Sequence, residues 1–175
     1  LPVCFFDFGD MIKMNAQGYF PYTPPVTLLR GLRASVDMLL DEGLDNVAHR
    51  HNRLAEGVRR AVTAWGLNNC AQEAQWHSDT VTAIKMNEGQ DANAVIQTAY
   101  HDYKVSLGAG LSVLNGKVFR IGHLGWLNET MVLQALGGVE LAMRKVGVAF
   151  EAGSGVGAAI DFYTETAASN KMAAE

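Results

Sequence analysis

At Gly66 the apolar pattern of this 175-residue chain changes period, from the three- and four-residue steps of helices to the alternation of strands, and this change restricts the fold sharply. Upstream, Leu28, Leu29, Leu32, Val36, Leu39 and Leu40 make one stripe, and Gly43 is a stop signal. Proline suits the first turn of a helix, where its missing N–H would be unpaired anyway, so Thr23 or Pro24 is expected to cap this helix. A second helix is expected from Leu44 to Trp65, with Val47, Leu54, Val58, Ala61, Val62 and Trp65 on one face. Residues 1–24 are aromatic and polar without clean helical spacing.

Downstream of Gly66, Thr80 to Met86 is β-branched and alternating, the mark of a strand, and Leu67 to Cys70 is a weaker strand that would pair with it. A short helix is expected from Asp91 through Tyr100, strands around Lys104 to Leu107 and Lys117 to Ile121, and a long helix from Asn128 to Lys145. A further helix is expected near Ala158 to Ala167. Two helices, then strands, helix, strands and helix describe an α+β fold, a small and mostly antiparallel sheet covered by helices.

Composition excludes several classes of function. Apolar residues make up 49% and charged residues 18%, the balance of a chain that buries a core. A net charge of -4 and a pI near 5.7 provide no attraction for nucleic acid or an anionic membrane. No apolar run approaches the about 20 residues that span a bilayer. The two cysteines, Cys4 and Cys70, form neither a disulfide framework nor a metal motif, which points to a reducing, cytoplasmic setting and to no bound metal. A first residue that is Leu rather than Met suggests a natural start further upstream.

Chemistry concentrates in the run Lys117 to Gly125. Side chains on a strand alternate, so Arg120 shares a face with Val118 and Gly122, while Phe119 and Ile121 point to the core. A guanidinium in such surroundings requires an anion, either an internal carboxylate or a ligand carboxylate held by two parallel hydrogen bonds. The run Tyr19 to Pro25 leads into a helix N-terminus, whose N–H groups and the hydroxyls of Tyr22 and Thr23 suit a phosphate; aromatic packing on a simple cap is the alternative.

Other features read more plainly. Gly153, Gly155 and Ala158 match G-x-G-x-x-A without the acidic residue of a dinucleotide site, and suggest a flexible connection. His49 and His51 fall on different helix faces and are expected at the surface. Arg50, Arg53, Arg59 and Arg60 with Glu56 have the pattern of a solvated face. Asn128 is expected to cap the helix that follows it.

Four segments in order carry a resemblance: Phe20 to Pro25 leading into Leu28 to Arg33, then Trp76 to Ala83, Val105 to Leu111 and Val118 to Gly125. Together, over nearly the whole chain, they resemble the landmarks of class V PLP-dependent aminotransferases of the serine–glyoxylate branch. The resemblance implies the C-terminal small domain of a fold type I PLP enzyme, with residues 1–24 closing the large cofactor-binding domain. Residues 25–66 would connect the domains, 67–150 would form the small α+β domain and 151–175 a tail. Arg120 would bind the substrate carboxylate and Thr23 the cofactor phosphate of a neighbouring subunit in a homodimer. Related alanine–glyoxylate enzymes carry a tyrosine where this chain has Phe20, so the assisting hydroxyl is assigned to Tyr22.

None of the six lysines, Lys13, Lys85, Lys104, Lys117, Lys145 and Lys171, sits in the family's S-x-K block, which supplies the lysine that anchors pyridoxal 5'-phosphate as a Schiff base. The cofactor would be held mainly by residues upstream of Leu1. The 175 residues alone are therefore expected to be inactive, while the complete enzyme would transfer the amino group of serine to glyoxylate. Alanine–glyoxylate or another class V activity is one alternative, and a non-catalytic interaction module is another.

Overall fold

A computed structural model describes residues 7–172 of the chain, with side chains to residue 166. The chain divides into two compact units, Leu1–Leu44 and Asp45–Glu175. Cys4 lies outside the described residues.

In the first unit α1 (Phe8–Asn15) is a helix that the sequence pattern does not announce. The Asp7 carboxylate accepts the N–H groups of Gly9 at 2.8 Å and Asp10 at 3.4 Å, so the local cap replaces the missing apolar stripe as the cause of the turn. The second helix, α2 (Val26–Glu42), begins later than expected, with Pro25 rather than Thr23 or Pro24 at its cap and no side-chain hydrogen bond there. A residue followed by proline is driven out of the helical region, which keeps Pro24 extended and delays the first turn.

The second unit opens with α3 (Leu44–Ala64) and continues through β1 (Asn68–Asn69), β2 (Val81–Lys85), α4 (Ala92–Tyr103), β3 (Gly108–Ala109), β4 (Val118–Gly122), α5 (Glu129–Lys145) and α6 (Ser154–Met172). The four strands form an antiparallel sheet in the order β1, β2, β4, β3. The third strand lies at Gly108–Ala109 and not at Lys104 to Leu107, because Lys104 takes the left-handed conformation (φ 59°) that ends α4. Asn128 caps α5 as expected, its side chain accepting the Met131 N–H at 3.0 Å.

One sheet face presents Ile84, Phe119 and Ile121 to Leu54, Val58 and Val62 of α3, Val95 of α4 and Leu136, Val139 and Met143 of α5. Burying each of the larger side chains contributes about 1.5–3 kcal/mol. A one-residue slip of β4 would expel Phe119 and Ile121 and drive Arg120 into this core, so hydrophobic burial itself fixes the face on which Arg120 emerges.

The segment around Gly153 and Gly155 is the start of a helix rather than a flexible connection. The Glu140 carboxylate on α5 accepts the N–H groups of Gly153 (2.6 Å), Gly155 (3.0 Å) and Val156 (3.1 Å), and the Trp65 indole N–H (2.9 Å). A negative charge on the unpaired donors of a helix N-terminus is favourable, and this one comes from a different helix. Any Cβ at Gly155 would lie 2.2 Å from the Trp65 indole nitrogen, so glycine is required for the close approach.

Two expectations about α3 are corrected. His51 is buried, not at the surface, and the arginines are not a simple solvated face. Arg53 donates to Glu129, to Thr166 Oγ1 at 2.8 Å and to the Tyr163 carbonyl at 2.7 Å. Arg59 donates to Glu56 at 2.9 Å and reaches Asp79 at 3.4 Å. These partners lie 20 or more residues away, except for Glu56, and a helical pattern cannot reveal them. Among the described residues no helix is long and apolar enough to cross a membrane.

Candidate functional site

Arg120 occupies the middle of β4, where Ala83 of β2 lies on one side and Gly108 of β3 on the other. Directly paired residues share a face, so these three stand together on the side of the sheet opposite Phe119 and Ile84. The Arg120 Nε–H donates to the Ala109 carbonyl at 3.1 Å. That bond fixes the plane of the guanidinium and leaves its two terminal nitrogens directed elsewhere. Among the described residues no carboxylate forms an ion pair with Arg120.

Gly108 makes this arrangement feasible. A Cβ there would lie 3.0 Å from Arg120 Nε and 3.2 Å from its Cβ, tighter than normal contact. Gly108→Ala is expected to push the guanidinium off its Ala109 anchor without changing the melting temperature, so that the Arg120 Nε–H resonance shifts in nitrogen NMR of arginine-labelled protein. An unchanged Nε–H resonance would show that the added methyl leaves the anchor in place.

Beside the same strands a cleft of about 160 Å³ is lined by Trp76, His77, Ser78, Val81, Thr82 and Ala83, with Arg59, Asn69 and Ala71 completing it. Its wall therefore includes Ala83, the cross-strand partner of Arg120. The Asn69 Oδ1 is buried without a hydrogen-bond partner.

The end of β4 is held by two histidines. His123 is fully buried; its Nδ1 donates to the Asp79 carbonyl at 3.0 Å, so its Nε2 accepts the Thr82 hydroxyl at 2.9 Å. Burial, above all, keeps its pKa below the usual imidazole value, and Arg59 and His51 act in the same direction against the Asp79 carbonyl. His51 on α3 lies against the turn that follows, accepting the Gly125 N–H at 3.0 Å.

Tyr22 and Thr23 lie in the other unit, both exposed, just ahead of α2. A shallow groove at the helix start is lined by Pro24, Pro25, Val26, Thr27, Leu28 and Gly31. Val26 N–H bonds to the Pro24 carbonyl and Leu29 N–H to the Pro25 carbonyl, which leaves the N–H groups of Thr27 and Leu28 without a partner among the described residues. The first turn carries no acidic side chain. Unpaired N–H groups, nearby hydroxyls and no competing negative charge fit a phosphate group.

Sequence patterns alone miss Gly108, Ala109, His51 and Glu140 as parts of this architecture. The signal for the first two was the run Val105 to Leu111, which belongs to the resemblance but carries no ionisable side chain. For Glu140 it was a lone carboxylate inside an apolar stripe.

No protein-family model matches the sequence. The chain is 56% identical over 170 residues to a serine–glyoxylate aminotransferase of Hyphomicrobium methylovorum, covering 97% of this chain and 42% of that protein. It is 48% identical over 175 residues to an L-aspartate–glyoxylate aminotransferase of Paracoccus denitrificans, covering 99% of this chain and 44% of the relative. Among solved structures, the pyridoxamine–pyruvate aminotransferase of Mesorhizobium loti superposes with a TM-score of 0.79 at 34% identity, over 84% of this chain and 38% of that one. The chain thus spans about two fifths of the length of the curated relatives it matches. The helices and the four-stranded antiparallel sheet correspond to the C-terminal portion of fold type I aminotransferases. With its fold and its sequence pointing the same way, the chain belongs to the class V aminotransferases, where it represents the C-terminal part of the serine–glyoxylate branch.

Proposed function

We propose that this chain is the substrate-gripping part of an enzyme that moves the amino group of serine to glyoxylate, giving hydroxypyruvate and glycine. The observation that carries this is Arg120, held on the open sheet face through Nε and paired with no carboxylate among the described residues. Its two terminal nitrogens have the planar fork that matches a carboxylate, which serine, glyoxylate and both products share. Holding that group at two points restricts the rotation of the rest of the molecule, so the reacting carbon is placed rather than searched for. Closing the sheet face around it would exclude water, and a cleft of about 160 Å³ opens beside Ala83, the cross-strand partner of Arg120.

The cofactor is pyridoxal 5'-phosphate, which when bound stabilises negative charge developing at the carbon that carries the amino group. Thr23, Tyr22 and the N–H groups of Thr27 and Leu28 would hold its phosphate, in a neighbouring subunit of a homodimer. The apolar stripe of α2, where Leu28 is 70% and Leu40 62% exposed, supports a partner surface there. The low cysteine content supports a cytoplasmic setting. Residues 25–66 would connect the domains and 67–150 would form the small one. The Paracoccus relative, an L-aspartate–glyoxylate aminotransferase, supports a second donor beside serine, with glyoxylate common to both.

The test compares two proteins. The full-length enzyme is expected to turn over serine with glyoxylate, whereas residues 1–175 with added cofactor are expected to show no turnover and no borohydride-trapped lysine. Turnover by the short chain, or a single lysine trapped in it, would overturn this function.

A further inference from the structure

The turn that follows Arg120 is gripped at both backbone groups of a single residue, Gly125, by two adjacent residues of α3. The Arg50 Nη1 donates to the Gly125 carbonyl at 2.8 Å and to the Leu127 carbonyl at 3.3 Å. The next residue, His51, takes the Gly125 N–H on Nε2 at 3.0 Å, while its Nδ1 lies 2.7 Å from the Val47 carbonyl. A backbone N–H can only donate and a carbonyl can only accept, so Nε2 carries a lone pair and Nδ1 carries the proton. This fixes one neutral tautomer. An imidazole with a proton on Nε2 would set an N–H against the Gly125 N–H and open the contact.

The location gives the contact its consequence. On the β3 side β4 pairs at Phe119 and Arg120, with the Gly110 N–H on the Val118 carbonyl, and on the β2 side its ladder reaches the pair Val81 and Gly122, with one more bond from His123 N–H to the Thr80 carbonyl. Beyond that point the His123 ring bonds Thr82 and Asp79, the Leu127 N–H bonds the Gly125 carbonyl, and α3 holds the turn from outside. Gly125 itself has φ 103°, a conformation that other residues rarely adopt, so the turn does not define its own path through steric preference. Releasing it would leave His123 as the last tie on the strand end, three residues from the guanidinium. A forked contact to a carboxylate tolerates about 0.5 Å and 10–20° of error.

We propose that His51 is a positioning residue for substrate binding, holding the 122–127 turn, and through it Arg120, in the aim that a carboxylate requires. The proposal rests on Arg120 as the carboxylate anchor and adds a residue that never touches substrate.

The experiment uses the full-length enzyme and measures KM and kcat for the amino donor and for glyoxylate in His51→Ala, His51→Gln, Arg120→Lys and the Ala/Lys double variant. His51→Ala is expected to raise both KM values about tenfold, the size of one lost buried hydrogen bond, with kcat within about twofold. His51→Gln places an amide oxygen near the Nε2 position, so it accepts from Gly125 and keeps KM within about twofold of the parent. In the Arg120→Lys background the alanine change should move KM less than about twofold, because the fork it aligns is gone. A KM unchanged by His51→Ala, or one raised equally in both backgrounds, overturns the proposal. Arg120→Lys alone leaving KM unchanged would instead overturn the anchor. If the alanine variant does not fold, nitrogen NMR of histidine-labelled enzyme decides: an unprotonated Nε2 at His51 at neutral pH supports the assignment, and a proton found there defeats it.

Discussion

Arg120→Lys in the full-length enzyme is expected to raise KM for serine and for glyoxylate together, by about 30-fold. Lysine keeps the positive charge but loses the planar fork and cannot bond Ala109 as Nε does. Trading a two-point contact for a single ammonium contact costs about 2 kcal/mol, which at about 1.4 kcal/mol per tenfold gives that factor. The carboxylate is common to both half-reactions, so both KM values should rise in step. Steady-state kinetics with each substrate varied at saturating partner measures this. A rise confined to one substrate would place Arg120 on that molecule's side chain or outside the site.

The second large effect is on stability. Glu140→Ala removes one carboxylate and leaves the Trp65 indole and the N–H groups of Gly153, Gly155 and Val156 without their acceptor. Glu140 is only 8% exposed and Trp65 2%, so water cannot replace it readily. The loss should be about 3 kcal/mol or more, since a hydrogen bond to a charged group contributes about 1.5–3 kcal/mol and several are lost together. Glu140→Gln should be intermediate, because its amide NH2 must face one of the N–H donors that a carboxylate oxygen now accepts. Hydrogen exchange reports this locally: the amides of Gly155 and Val156 should lose protection in the alanine variant. Equal protection and an equal denaturation midpoint would mean that the start of α6 is held by packing alone.

Where backbone hydrogen bonding and hydrophobic burial act together, the elements were legible. Thr80 to Met86 and Lys117 to Ile121 alternate because one face of each strand meets the core, and β2 and β4 lie there. The emergence of Arg120 opposite Phe119 and Ile121 follows from the same alternation. Where a single side chain defines an element, local pattern failed. The cap on α1 is one aspartate, the end of α4 is one left-handed lysine, and the start of α6 depends on a carboxylate 13 residues earlier.

The α3 residues show the reason most clearly. Arg50, His51, Arg53 and Arg59 have the helical spacing of a solvated face, and nothing within one turn of them indicates otherwise. Their partners Gly125, Leu127, Glu129, Tyr163 and Asp79 are distant in sequence and become neighbours only when β4 and α6 pack against the helix.

The sequence by itself determined the α+β class and the face of the sheet on which Arg120 stands, because periodicity and residue identity are local properties of a chain. Only the tertiary structure decided that Arg120 is anchored by Ala109, that His51 is buried and bonded to Gly125, and that Glu140 seats α6. Each of those depends on which donor finds which acceptor across 11 to 74 residues, and such pairings are selected by the packing of the whole unit.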